Sequence, residues 1–334
     1  NWSHRLGGDG GWTSNHPDAP DRYFAEFQGT RNLYRSTNRG SSFNWVGSGI
    51  SGGDRNCFLP PHVIDPDNAD RILYATHRIY QSTNGGTSWS AISGDLTGGS
   101  PAAIRSLAIA PSNGQTVYAA TNDGRVLVST NGGSVWDLKL TDIPGWPRVT
   151  REIAVDPTDD ATAYLAVSWF DTDQILKTTD YGDTWEALDG DLPDVPVNTV
   201  AVQRVGGLSN VFVGTDAGVY RTVNGGRHWS EYGTALPHTP VVDLIIDEDD
   251  RRLIAGTEGR GAWDIRLPLF GDEDEDGDVD LFDFGGFLDC ITGPGHGPIF
   301  DPPSTPCREA FDFDGDGDID FADFRFFILV FTGS

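Results

Sequence analysis

Apolar positions in the first 268 residues fall in runs of four to six, bounded by Gly, Pro, Asn or Asp. Runs of that length, rich in β-branched and aromatic residues, predict strands rather than helices. They recur in a fixed order. A first strand ends in a turn, as in "HVIDPDN", "LAIAPSN" and "IAVDPTD". A more apolar second strand follows ("ILYAT", "TVYAAT", "AYLAVS", "VFVGT"), then a third that runs into a polar motif, whose closing aromatic residue starts a fourth.

The polar motif is an internal repeat. "STNRGSSF", "STNGGTSW", "STNGGSVW", "TTDYGDTW" and "TVNGGRHW" begin at positions 36, 82, 129, 178 and 222, spacings of 46, 47, 49 and 44 residues. Four strands per repeat of this length fit one blade of a β-propeller. Asn38, Asn84, Asn131, Asp180 and Asn224 can accept backbone N–H groups across their own turn, and the Gly two residues later tolerates positive φ. Phe43, Trp89, Trp136, Trp185 and Trp229 can pack beneath the hairpin, making each motif a self-contained clamp. The pattern S/T-x-D/N-x-G-x-x-W/F resembles the Asp-box, or BNR repeat, of sialidases, xyloglucanases, sortilin-type receptors and photosystem assembly factors. That resemblance implies a folding element on outer hairpins, away from any ligand channel.

Six innermost strands are predicted, around residues 11–17, 61–65, 106–110, 152–156, 199–203 and 241–246. The last blade, "RRLIAGTEGRGAWDIRLP", has neither box nor fourth strand, whereas "NWSHRL" at the start has the form of a fourth strand led by Trp2. Joining them closes six blades; the sequence has the look of a processed or truncated form, and seven or eight blades follow if upstream residues are missing.

After residue 268 the pattern changes. Residues 272–283, "DEDEDGDVDLFD", place Asp272, Asp274, Asp276, Asp278, Asp280 and Asp283 at positions 1, 3, 5, 7, 9 and 12 of a calcium loop, where position 7 ligates through its backbone carbonyl and position 9 commonly through water, with Gly277 at position 6. Residues 312–323, "DFDGDGDIDFAD", repeat the arrangement with Asp312, Asp314, Asp316, Asp318, Asp320, Asp323 and Gly317. Two Ca²⁺ ions are therefore expected, converting carboxylate repulsion into folding energy. Val279 and Ile319, at position 8, can join the loops through a short β-bridge.

Each loop precedes a Phe-rich helical run, "LFDFGGFLDCIT" or "FADFRFFILVF", and neither has an entering helix. This duplicated loop-helix unit, closed by Asp, resembles dockerin, the module by which secreted bacterial glycan-degrading enzymes attach to cohesin domains. Two departures stand out. The loops start 40 residues apart, and the pairs before the final Asp are the apolar Leu281-Phe282 and Phe321-Ala322. Phe321, Phe324, Phe327, Ile328 and Phe331 exceed what a small module covers by itself; either the chain's own propeller or first helix buries them, or they are partner contacts. Cys290 and Cys307 can pair as a disulfide, which fits an oxidising compartment; the alternative is two buried thiols.

Composition narrows the function. A formal charge of −27 opposes nucleic acid and anionic lipid, and no apolar run is long enough to span a bilayer. The histidines are scattered and show no metal-ligand spacing. For a glycosidase, the sialidase Arg-Ile-Pro signature is absent; "GGDGGW" with Asp9 echoes a glycine-rich xyloglucanase loop, and "VTREIAV" puts Arg151 and Glu152 at the start of an inner strand. The reading is an all-β propeller (1–268) with a small α module (269–334). It is a secreted, calcium-binding, non-catalytic binding or assembly protein, attached by its C-terminal module to a cohesin-like partner or to further copies of itself, with a glycan as a further ligand. The alternative is a sialidase- or xyloglucanase-like glycoside hydrolase on a dockerin-type anchor.

Overall fold

The computed structural model describes residues 6–7, 10–141, 150–205, 208–233, 236–248, 250–267, 271–272, 279–291, 307, 311–313 and 318–331. The fold is a β-propeller of six antiparallel sheets with two short C-terminal helices. The chain forms two compact units, 1–187 and 188–334.

Unit one holds four blades in strict up-and-down order. They are β1 (Thr13–Asn15), β2 (Tyr23–Glu26), β3 (Leu33–Ser36) and β4 (Asn44–Trp45); β5 (His62–Asp65), β6 (Asn68–Ala75), β7 (Ile79–Ser82) and β8 (Ser90–Ala91); β9 (Ile104–Ile109), β10 (Val117–Thr121), β11 (Val126–Ser129) and β12 (Asp137–Leu140); and β13 (Thr150–Val155), β14 (Ala163–Val167), β15 (Ile175–Thr178) and β16 (Glu186–Ala187). Unit two holds β17 (Val197–Val205), β18 (Leu208–Thr215), β19 (Gly218–Thr222) and β20 (Ser230–Glu231), then β21 (Val241–Asp247), β22 (Arg252–Thr257) and β23 (Gly261–Arg266), and finally α1 (Leu281–Cys290) and α2 (Phe321–Val330). The last sheet has three strands among the described residues; Trp2, the expected leader of its fourth, lies outside them.

Burial explains the apolar second strands. Every residue of β10 is buried, because its two faces pack into the cores shared with the second and the fourth blades. Tyr118, Val126 and Val128 of one blade share a core with Ile153, Leu165 and Leu176 of the next. Inner strands are also tied by side chains: the Ile153 N–H donates to Ser106 Oγ at 3.0 Å, and the Leu244 N–H to Thr199 Oγ1 at 3.1 Å.

The repeat motif satisfies the backbone of its own turn. In the second blade the Gly86 N–H donates to Ser82 Oγ (2.8 Å), that hydroxyl donates to Asn84 Oδ1 (2.9 Å), and Asn84 Oδ1 accepts the Ser88 N–H (3.0 Å). The same triangle recurs at Ser36/Asn38, Ser129/Asn131, Thr178/Asp180 and Thr222/Asn224. Gly86 sits at φ +83°, and a Cβ there would meet the Phe24 ring at 2.7 Å.

The motif is less self-contained than its sequence suggests. Trp89 donates its indole N–H to Val46 O (2.7 Å) and its backbone N–H to Ser48 O (3.0 Å), both on the chain leaving the previous blade. Trp229 donates likewise to Leu188 O (3.0 Å). The indole therefore locks one blade to another, and the approach is close: a Cβ on Gly49 would lie 2.0 Å from Trp89 O.

Candidate metal centre

The two helices start in the same way. Asp280 Oδ1 accepts the Phe282 N–H (2.8 Å) while Asp283 Oδ2 accepts the Asp280 N–H (2.8 Å); Asp320 and Asp323 repeat the box at 2.6 and 2.8 Å. Positions 9 and 12 of each predicted loop are thus a helix N-cap and its N3 partner. Asp323 also accepts the Phe313 N–H through Oδ1 at 2.7 Å, which fixes both its oxygens while leaving each further lone-pair capacity.

Below the caps lies one apolar cluster holding Val279, Phe287, Cys290, Phe311, Phe313, Ile319 and Phe327, with Val223 of the fifth blade packed against it. Val279 and Ile319 both belong to this cluster. Cys290 and Cys307 form a disulfide with Cα atoms 5.6 Å apart. Of the proposed contact residues, Phe327 is fully buried against Phe284, Phe287 and Phe311, so the first helix and its surroundings, not a partner, cover it. Phe324 and Phe331 are half-buried, whereas Phe321 and Ile328 are 81% and 53% exposed.

The carboxylates gather around this cluster. Asp272, Asp283, Asp312, Asp318 and Asp323 are all buried. Asp318, Asp320 and Asp323 bring ligand oxygens within 4.8 Å of one another, an arrangement that can hold a metal ion. Arg325, exposed on α2, is the one basic side chain among the described residues of the module. An all-oxygen anionic donor set of this kind matches a hard divalent ion. Asp274, Asp276, Asp278, Asp314 and Asp316 lie outside the described residues.

The propeller units hold polar groups that the sequence did not single out. Buried His62 has its Nε2 2.9 Å from Ser14 Oγ and its Nδ1 3.7 Å from Glu26 Oε2. Burial pushes the Glu26 carboxyl above its usual range, and His62 offsets only part of this. Asp54 accepts from Tyr80 (2.5 Å) and Thr76 (3.1 Å) and pairs with Arg78 (3.0 Å). Burial works against its charge, but these partners hold its carboxyl below the usual value. His16 and His77 are buried as well, so three of the five described histidines are interior groups. Between β14 and β15, Trp169 and Phe170 are 46% and 52% exposed beside Asp171 and Asp173. Arg151 and Glu152 lie on β13, exposed and half-buried respectively; Asp9 lies outside the described residues.

No family model matches the chain, and no curated protein does. Solved structures do. An ancestral GH74 enzyme superposes with TM-score 0.56 at 18% identity, over 79% of this chain and 39% of its own. The GH74 xyloglucanase of Xanthomonas campestris gives 0.56 at 19%, over 76% and 44%. YCF48 from Cyanidioschyzon merolae gives 0.50 at 13%, over 76% and 81%. The chain spans about four-tenths of the length of the GH74 structures, and at these identities the likeness shows the propeller fold.

Proposed function

We propose that the chain is an extracellular, calcium-stabilised propeller that binds or assembles without catalysis, and that its C-terminal module, loaded with two Ca²⁺ ions, attaches it to a protein partner or to further copies of itself. The observation that carries this reading is an apolar cavity of about 290 Å³ bounded by Phe284, Phe287, Leu288, Ile291, Phe321 and Phe324, with the metal-site residue Asp320 on its wall. Around it, Leu281, Phe282 and Phe321 are 69%, 78% and 81% exposed, on the first turns that the acidic caps hold in place. An ion that fixes the loops fixes these side chains too, and so couples calcium to attachment. The disulfide supports an oxidising compartment. No described helix is long and apolar enough to cross a membrane.

Light scattering of the full chain in Ca²⁺ and then in chelator tests this. Association that chelator reverses, and that Phe321→Asp abolishes while leaving the propeller's melting unchanged, is the expected result. A monomer in both solutions that also fails to capture cohesin-like domains sinks the reading.

A second reading is a glycoside hydrolase acting on a xyloglucan-like chain. It draws on the GH74 neighbours and on Trp169 and Phe170, exposed aromatic faces of the kind that stack on sugars, next to two aspartates. Release of reducing sugar from xyloglucan, lost in Trp169→Ala, would favour it.

A further inference from the structure

Near its start, each inner strand of the third to sixth blades carries a bulge that leaves one residue unopposed by the second strand: Arg105, Arg151, Asn198 and Val242. A bulge takes a side chain out of the regular alternation and re-aims it. Beside the first two bulges Ile104, Ser106 and Thr150 are buried, whereas Arg105 is half-buried and Arg151 exposed. The position takes Arg, Asn or Val, so the fold itself does not demand arginine there. In unit one the two arginines stand in neighbouring blades that are tied on both sides of the second bulge. Thr150 Oγ1 donates to Thr121 O (2.5 Å), and the Ile153 N–H to Ser106 Oγ (3.0 Å).

Three more arginines lie at this end of the second and third blades. Arg78 and Arg125 close the turns between second and third strands; Arg78 pairs with Asp54 at 3.0 Å, and Arg125 Nε lies 3.8 Å from Asp123. The side chains of both aspartates are 4% exposed and those of the two arginines 35% and 30%, so the carboxylates lie underneath and hold guanidinium groups that face water. Arg55 pairs with Asp95 at 2.7 Å and meets Arg125 at Thr97, Arg55 donating to its Oγ1 (3.0 Å) and Arg125 to its carbonyl. On the other side, Thr150 pairs with Val167, so the turn that bears Trp169 and Phe170 starts next to Arg151.

We propose that this end of the second, third and fourth blades binds an acidic polysaccharide built of uronic acid sugars. Guanidinium forks match carboxylates. Trp169 and Phe170 offer flat apolar faces to pyranose rings, and the exposed Asp171 and Asp173 beside them offer acceptors to sugar hydroxyls. The same two carboxylates repel a phosphodiester chain, whose charge is far denser, which argues against nucleic acid. The overall charge opposes a uronate less than its total implies: residues 269–334 hold 17 acidic and two basic residues, −15 of the −27. This site is separate from the C-terminal module and involves no hydrolysis.

The test is calorimetric titration of the full chain, in Ca²⁺, with an oligogalacturonide, and with xyloglucan and oligo(dT) for comparison. The expected result is oligogalacturonide binding that weakens with salt and falls about tenfold or more in Arg105→Gln/Arg151→Gln and in Trp169→Ala, with xyloglucan and oligo(dT) weaker by a similar factor. Phe321→Asp, which disrupts attachment by the module, should leave this binding unchanged. Both sets of substitutions keep the ion pairs of Arg55, Arg78 and Arg125, and unchanged melting checks the fold; Trp169→Ala, in an exposed turn, decides the matter should the arginine pair destabilise the propeller. Absence of oligogalacturonide binding overturns the proposal. Binding that survives both sets of substitutions overturns it in favour of calcium bridging by the module. Equal binding of xyloglucan overturns it in favour of a neutral-sugar platform, and equal binding of oligo(dT) in favour of a nucleic-acid site.

Discussion

Replacing Asp318 by Asn separates a metal centre from a solvated acidic patch, because the two give opposite signs in the presence of calcium. Asp318 is 6% exposed and shares the 4.8 Å cluster with Asp320 and Asp323. Two unit charges at that distance repel by about 3.5 kcal/mol at an effective dielectric constant of about 20. Asp318 faces two such charges, and Asp320 is half-exposed and partly screened, so neutralising Asp318 should relieve about 2–4 kcal/mol in chelator. With Ca²⁺ the same change takes one negative carboxylate of the cluster from beside the ion, while the backbone carbonyl by which position 7 ligates is kept; a 100-fold loss of affinity is about 2.8 kcal/mol. Unlike Asp320 and Asp323, Asp318 makes no helix cap, so the substitution leaves α2 its N-terminal hydrogen bonds. Hydrogen exchange of residues 318–331 in the full chain reads the local opening free energy directly. The expected result is slower exchange than wild type in chelator and faster exchange in millimolar Ca²⁺. Slower exchange in both solutions would refute the metal centre.

Ser82→Ala takes the acceptor from the buried Gly86 N–H and should cost about 1–3 kcal/mol in urea unfolding. Arg39 sits at φ +55° with only an exposed ion pair to Asp21, so Arg39→Gly should be neutral to stabilising by up to about 1 kcal/mol, read as a shift in the urea midpoint. Burial pushes the Cys57 thiol up to about 11, so it should resist alkylation at pH 8 in the folded chain and react at once in denaturant. The Glu26 carboxyl is raised in the folded state, so its contribution to stability is complete below its unfolded value near 4.5 and is lost as pH rises through the higher folded value. Denaturant midpoints of Glu26→Gln relative to wild type should therefore improve on going from pH 4 towards neutrality.

The propeller was legible because its signal is periodic. Five boxes at blade spacing specify the hairpins, and the six predicted inner strands coincide with β1, β5, β9, β13, β17 and β21 to within a few residues. The reach of the box tryptophan was not legible, since the Trp89–Val46 bond joins residues 43 apart and nothing near Val46 marks it. Gly49 was the available sign, a glycine held against the Trp89 backbone, but it is one of 42. The Ser14–His62–Glu26 group was equally hidden, because its members come from two sheets and no short motif spans them. In the module, alternating aspartates gave the loop positions, while the burial of Phe327 depends on how two helices pack, which a run of six apolar residues leaves open.

The repeat also explains why function is hard to read from the part of the chain that is easiest to recognise. All five boxes make the same bonds between the third and fourth strands, so they cannot distinguish one blade from another. What differs is the turn between the second and third strands, at the opposite end of the same sheets. In the second blade it is the three residues 76–78, with Thr76 and Arg78 held by Asp54; in the fourth it is the seven residues 168–174, carrying Trp169 and Phe170 into solvent. Large aromatics left half in water at that position forgo the stabilisation that burial would give, since neither ring joins a described core cluster. Selection for stability alone gives no reason to keep them there, which makes this loop the place in the propeller where a ligand should be sought.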